Sequence, residues 1–109
     1  NNEEEARKLR SDAKALEEAG CYAIVIEKVP AVLAAEVAKS VSIPIIGIGA
    51  GSGADGQVLV MHDMLGINMD FSPKFLRRYA NLNQVISQAV VNYINDVKSG
   101  DFPNENEQY

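Results

Sequence analysis

The sequence predicts an α/β fold in which short parallel strands alternate with helices. Three observations predict it. Apolar runs of strand length stand at Cys21 to Glu27, Ile43 to Ile48 and Gln57 to Met61. The stretches around them carry apolar residues at helical spacing instead. Glycine, proline and serine mark most of the changes from one period to the other. The resulting order is helix, strand, helix, strand, strand, helix, helix, and alternation of this kind argues for a parallel sheet. Three parallel strands leave two open outer edges and make a poor independent domain. A full eight-stranded barrel takes about 250 residues. The chain, 109 residues long, therefore reads as part of a (β/α)8 (TIM) barrel: about three parallel strands plus C-terminal helices, one segment over residues 1–109.

The first helix is expected from Asn1 to Ala19. Asn2 is a candidate cap, and Glu3, Glu4 and Glu5 fill the first turn, where acids favour the helix dipole. Leu9, Ala13 and Leu16 give a narrow apolar face, while Glu3–Arg7 and Glu4–Lys8 are i,i+4 pairs on the wet side. Gly20 stops the helix. The first strand, Cys21 to Glu27, is apolar enough to be buried on both faces. Alternation puts Cys21, Ala23, Val25 and Glu27 on one face and Tyr22, Ile24 and Ile26 on the other.

Val29-Pro30 opens a second helix, with proline at its first position and a stripe of Leu33, Val37 and Val41. Ser42 breaks it. The second strand, Ile43 to Ile48, tolerates Pro44 only near its start. A third strand over Gln57 to Met61 competes with a helix from Asp55 to Leu65, because Val58, His62 and Leu65 also fit helical spacing. Ser72-Pro73 should cap a short helix carrying Phe75, Leu76 and Tyr79. The last helix, about Leu82 to Lys98, has a wide stripe of Val85, Ile86, Ala89, Val90, Tyr93, Ile94 and Val97. Gly100 and Pro103 end it, and residues 104–109 form a polar tail.

The charge balance, 15 acids against 10 bases, argues against nucleic acid as a partner. No apolar run approaches the roughly 20 residues of a membrane span; no signal peptide is expected ahead of the first helix within these residues, and a cut N-terminus could hide a targeting segment. A single cysteine, Cys21, excludes a disulfide framework and a thiolate metal cage. A reducing, aqueous compartment is the expectation.

Glu27 is the leading candidate for chemistry. Ligands of parallel α/β sheets collect at the carboxyl ends of strands, and a carboxylate there can act as a general base. The plain alternative is an ordinary acid that turns to solvent or pairs with Lys28. Gly49-Ala50-Gly51-Ser52-Gly53-Ala54 formally matches G-x-G-x-x-A. A dinucleotide site needs a long helix opening directly on the glycines, and Asp55-Gly56 breaks the chain there. Close backbone approach at a site floor, or a tight strand exit, fits better. His62-Asp63 could be a metal pair or an acid–base pair. His62 is the single histidine and has no second ligand at a recognisable spacing, so a structural or supporting role is the stronger reading.

Specific motifs narrow the reading. Ile24-Val25-Ile26-Glu27-Lys28-Val29-Pro30 resembles the L-E-C-V-P strand end of ketopantoate hydroxymethyltransferase. Ile43-Pro44-Ile45-Ile46-Gly47-Ile48-Gly49-Ala50-Gly51 is similar to that family's I-P-x-I-G-I-G-A-G. Asp55-Gly56-Gln57-Val58-Leu59-Val60-Met61-His62-Asp63 resembles its D-G-Q-x-L-V-x-H-D. The stretches Asp12 to Gly20 and Pro73 to Phe75 also match, in family order, so the likeness covers nearly the whole chain. Lys28 departs from it, standing where the family usually has cysteine.

The resemblance implies a barrel of the phosphoenolpyruvate-mutase type, of which this chain is the last three strands and the C-terminal helices. It implies transfer of a hydroxymethyl group from 5,10-methylenetetrahydrofolate to 3-methyl-2-oxobutanoate, giving ketopantoate for pantothenate biosynthesis. The family's proton-abstracting base aligns with Glu27. Its Mg2+ carboxylates, and the serine and lysine that hold the keto acid, lie on strands before this segment, so no metal ligand is assigned here. Family members form decamers of stacked pentamer rings, and the expected partners are the N-terminal half of the barrel and further copies, in the cytoplasm. Two other readings stand beside this one: an inactive barrel fragment or interaction module, and a related 2-oxo-acid lyase.

Overall fold

The computed structural model describes residues 3–109. They form two compact units: one runs to Leu59 and includes Pro73–Leu76, the other comprises Val60–Ser72 and Arg77–Tyr109.

In the first unit, helix α1 (Glu3–Glu18) has Glu3, Glu4 and Glu5 in its first turn. The expected start at Asn1 and cap at Asn2 lie outside the described residues. Gly20 (φ +91°) ends the helix. Its N–H donates to the Glu17 carbonyl at 3.0 Å, and the Cys21 N–H reaches back to the Leu16 carbonyl at 3.1 Å. This pair of bonds satisfies carbonyls that the helix itself cannot. Ala13 is buried and Leu9 packs beside it, but Leu16 is exposed. The ion pairs differ from expectation. Lys8 pairs with Asp12 at 2.7 Å, and Arg10 reaches Glu3 at 3.5 Å and Glu36 at 2.6 Å. Arg10 prefers Glu36 because that carboxylate lies on the neighbouring helix, where the guanidinium can engage it through two nitrogens.

Strand β1 (Ile24–Glu27) begins three residues later than predicted. Helix α2 (Ala31–Ser40) follows, with Pro30 as its N-cap rather than its first helical residue. Strand β2 (Ile45–Ile48) starts after Pro44, whose carbonyl accepts the Ile24 N–H at 2.9 Å. Strand β3 is only Gly56–Gln57. The sheet runs β1–β2–β3, all parallel, with Ile24 opposite Ile45, Glu27 opposite Ile48, and Gly47 opposite Gln57.

The core joins Ala13, Ile24, Ile26, Ala34, Val37, Ile45 and Ala50. Ile45 and Val37 are its largest fully enclosed side chains, each worth about 1.5–3 kcal/mol of burial. Burial along β1 alternates, Ile24 and Ile26 in, Val25 and Glu27 out. This corrects the expectation of a strand buried on both faces. The helices of this unit cover one face, and Val25 on the other is 60% exposed. Tyr22 is exposed too, because the strand has not yet begun.

The predicted strand over Gln57 to Met61 stops early for a hydrogen-bonding reason. The Val58 N–H still donates to the Gly47 carbonyl at 3.0 Å. Beyond it β2 ends at Ile48, and Gly49 (φ +59°) turns away, so Leu59 has no partner strand in this sheet.

In the second unit the competing helical pattern is realised in part, as α3 (Met61–Met64). The short helix expected after Ser72-Pro73 does not form. Pro73–Leu76, part of the first unit, is a single turn closed at 3.0 Å; within the second unit the Tyr79 N–H donates to the Met64 carbonyl at 2.8 Å. Helix α4 (Leu82–Ser99) ends at Gly100 in the left-handed conformation and has no buried residue. Phe102 packs edge-on against Tyr93 at 5.5 Å. Among the described residues no helix is long and apolar enough to cross a membrane.

Candidate active site

Parallel pairing brings the carboxyl ends of β1 and β2 to the same side of the sheet. Glu27, the last residue of β1, is exposed and shares a face with Val25. Lys28 then adopts φ +54°, the left-handed region, alone of the non-glycine residues among those described. Such a conformation costs a side-chain-bearing residue about 1–2 kcal/mol. The Lys28 N–H donates to the Ile48 carbonyl at 2.8 Å. The sheet ladder thus continues one bond past the strand while the chain turns towards Pro30 and α2. Of the two plain alternatives, the ion pair between Glu27 and Lys28 is not formed, and the exposure of Glu27 is what an acid turned to solvent would show.

The glycine run is the packed floor of this end. An alanine Cβ at Gly49 would lie 2.7 Å from the Phe75 ring, and one at Gly51 (φ +82°) would strike the Cβ of Ala31. Gly53 meets Ala35 in the same way, one helical turn further along α2. Close approach of backbone to helix explains the run, and no long helix opens on these glycines.

The D-G-Q segment ties that floor down. The Asp55 N–H donates to the Ile45 carbonyl at 2.9 Å. The Ile45 N–H donates back to Asp55 Oδ2 at 2.8 Å. Gln57 Nε2 donates to the Gly51 carbonyl at 2.8 Å.

An open cleft of about 800 Å³ lies at these strand ends, and Lys28, Pro30, Gly49, Gly51, Lys74 and Phe75 line it with Val29 and Ala31. Glu27 is not among its lining residues. A second cavity of about 460 Å³, towards α1, shares Lys28, Val29 and Pro30 but is also lined by Glu3, Glu5, Arg10 and Glu36.

In the second unit His62 and Asp63 part company. His62 is exposed, and its carbonyl accepts the Ile67 and Asn68 N–H groups at 2.9 and 3.2 Å. Asp63 is buried, 8% exposed, and accepts a long 3.4 Å bond from Asn68 Nδ2. Asn68 Oδ1 in turn accepts the Asp70 N–H at 3.2 Å. The pair organises a turn rather than a shared reaction centre. Among the described residues no group of three or more His, Cys, Asp or Glu side chains could hold a metal ion.

Glu17 and Arg10 are perturbed, and both act in structural contacts. Glu17 is held below the ordinary carboxylate range, first by the Ser42 hydroxyl and then by the Ser42 N–H at 2.6 Å. The Arg10 guanidinium is raised, chiefly by its hydrogen bond to Glu36.

Sequence reasoning placed Glu27 and the glycine floor. It missed Lys74 as a neighbour of the strand end, the left-handed Lys28, the Asp55 clasp, and Arg78. The Arg78 guanidinium donates to the Phe71 carbonyl at 2.9 Å and to Ser72 Oγ at 3.4 Å. A polar residue beside a glycine-rich exit was the available signal for Asp55. The others depend on tertiary proximity.

Residues 1–105 match the family described as ketopantoate hydroxymethyltransferase. Proteins named 3-methyl-2-oxobutanoate hydroxymethyltransferase are similar to this chain in several bacteria. The one from Parabacteroides distasonis is 69% identical over 107 residues, 98% of this chain and 39% of its own length. That from Porphyromonas gingivalis is 66% identical over the same extent. That from Salinibacter ruber is 60% identical over 108 residues, 99% of this chain and 41% of its own length. The chain thus spans about two fifths of the curated relatives it matches.

Proposed function

From the premise that the chain belongs to the ketopantoate hydroxymethyltransferase family, we propose that it supplies the proton-abstracting end of that reaction. In this reading residues 1–109 are a C-terminal segment of a (β/α)8 barrel of the phosphoenolpyruvate-mutase type. The complete protein moves a hydroxymethyl group from 5,10-methylenetetrahydrofolate to 3-methyl-2-oxobutanoate, giving ketopantoate for pantothenate biosynthesis in the cytoplasm. The observation that carries the reading is Glu27: an exposed carboxylate at the carboxyl end of a parallel strand, on the face that its own helices leave uncovered. That face, with Val25 and Glu27, is the one a closed barrel would turn inwards.

Glu27 takes the proton from C3 of the keto acid. The C–H bond breaks, its electron pair moves into the C2–C3 bond as the keto oxygen gains charge, and the proton rests on a Glu27 oxygen. The carbon so formed attacks the one-carbon unit of the donor: both of that unit's C–N bonds break with their electron pairs to the two nitrogens, a water supplies the hydroxyl oxygen, and protonated tetrahydrofolate leaves with ketopantoate. Lys28 acts through its backbone here: the left-handed turn anchored on Ile48 fixes where the strand ends and so where Glu27 stands.

The described residues do not fit a magnesium centre, since they bring no three candidate ligands together. The family resemblance assigns the Mg2+ carboxylates to strands outside this segment.

Partners follow from the same reading. The outer edge of β1 receives the preceding part of the barrel. Helix α4, apolar yet without a buried residue, packs on a neighbouring copy in a homo-oligomer, a decamer by family resemblance.

The test is deuterium exchange at C3 of 3-methyl-2-oxobutanoate, followed by NMR with magnesium and no folate, in the full-length protein and its Glu27→Gln variant. Gln keeps the size of the side chain but cannot accept the proton. Wild-type exchange in the variant, at matched folded concentration, removes Glu27 from the mechanism and makes His62 the next residue to test.

A further inference from the structure

The cleft at the strand ends differs in charge from the neighbouring cavity towards α1. The chain is acidic, with a net charge of −5. Yet the cleft is lined by two lysines, Lys28 and Lys74, and by no carboxylate. Neither ammonium has an ion-pair partner among the described residues. The neighbouring cavity towards α1 shows the ordinary arrangement, in which Arg10 is matched by Glu36. Two uncompensated cations around one concavity concentrate positive potential there. The remaining walls are apolar: Val29, Pro30, Ala31 and Phe75. Phe75 is fixed against the bare backbone of Gly49, so the apolar wall is preformed.

A small hydrated anion would gain little from that wall. An anion carried on an aromatic or apolar body can use both halves. Building on the proposed function, we infer that this cleft binds the carboxylate tail of the folate donor. Its p-aminobenzoyl part lies along Phe75 and Pro30, and its glutamyl carboxylates meet Lys28 and Lys74. The site sits beside Glu27 rather than over it, as a donor must whose one-carbon unit approaches a substrate already placed at the base.

The keto acid also carries a carboxylate, so the experiment separates the two sources. Full-length wild type, Lys28→Asn and Lys74→Gln are compared with two donors: 5,10-methylenetetrahydrofolate and 5,10-methylenetetrahydropteroate, which has the same rings but no glutamate. Asn is chosen at Lys28 because it tolerates the left-handed conformation. Lys74, exposed on a single turn, gives an independent second variant. In the wild type the glutamate-bearing donor has the lower KM. Each substitution raises that KM about five- to tenfold, as expected for a lost charge-assisted contact, and the preference over the pteroate donor collapses. Calorimetric binding of tetrahydrofolate follows the same order without turnover.

Equal loss with both donors overturns the inference. So does a raised KM for 3-methyl-2-oxobutanoate, which would assign the cleft to the keto acid. Unchanged donor KM in both variants, with normal C3 exchange in the wild type, removes the cleft and leaves the proposed function. A wild-type protein without C3 exchange removes both.

Discussion

Replacing Gly49 by alanine probes the floor of the strand-end cleft, and the structure sets the expected cost. Gly49 has φ +59°, where a residue with a Cβ costs about 1–2 kcal/mol. The added carbon would stand 2.7 Å from Phe75 Cδ1 and 2.8 Å from Cγ. Carbon atoms in contact prefer about 3.5–4.0 Å, so the ring must retreat by close to an ångström. Overpacking of that kind costs about 1–3 kcal/mol. The two contributions sum to about 2–5 kcal/mol. Urea denaturation of the full-length protein measures it as a lower midpoint at constant m. A double-mutant cycle with Phe75→Ala separates the parts. Without the ring the backbone cost and a milder 3.2 Å contact with the remaining Cβ are left, so Gly49→Ala should then cost less, close to the backbone's about 1–2 kcal/mol. A loss below about 1 kcal/mol in the wild-type background, or the same loss in both backgrounds, would refute the close approach of Phe75 to this backbone.

Glu27→Gln should slow C3 exchange by on the order of 10²–10⁴, the usual contribution of a positioned general base, with the folded fraction unchanged by circular dichroism. Glu17 has a folded pKa below its ordinary value, so its stabilisation is complete above the unfolded pKa and is lost as pH falls through the folded one. Wild type should therefore exceed Glu17→Gln in urea midpoint by a constant margin at neutral pH, a margin that closes below about pH 4.5. Curves that stay parallel down to acid pH would show that the bond to Ser42 does not carry the effect. A Val90→Asp, Ile94→Asp double change on α4 should lower the molar mass by light scattering while helicity persists, and an unchanged oligomer counts against α4 as a subunit contact.

Much of the fold was legible because period and punctuation agree locally. Leu9 and Ala13 before Gly20, and Leu33 and Val37 after Pro30, leave little choice but helices. Ile24 and Ile26 facing those helices fix which side of β1 is buried. The errors arose where non-local hydrogen bonding overrode local preference. Val58 and Val60 favour a strand, but β2 turns away at Gly49, so the ladder ends with the Val58 N–H and does not reach Val60. Phe75, Leu76 and Tyr79 suit a helix, but the Tyr79 N–H is engaged by the Met64 carbonyl. The site divides in the same way. An acid closing an apolar run marks Glu27 from sequence. Only the folded chain brings Lys74 to the end of β1, and nothing local announces that Lys28, a lysine, will take a glycine's conformation.

The sheet order also has a kinetic meaning. Strands next to each other in the chain are next to each other in the sheet, β1 with β2 and β2 with β3, and the β1–β2 crossover contains one ten-residue helix. Few residues need to be gathered before each pairing is rewarded, which keeps the contact order of this part low and its loop-closure cost small. During synthesis, with the N-terminal side emerging first, every βα unit would find its template already exposed. The segment can then assemble vectorially, each strand docking on the one before it as it leaves the ribosome, without waiting for distant chain to arrive.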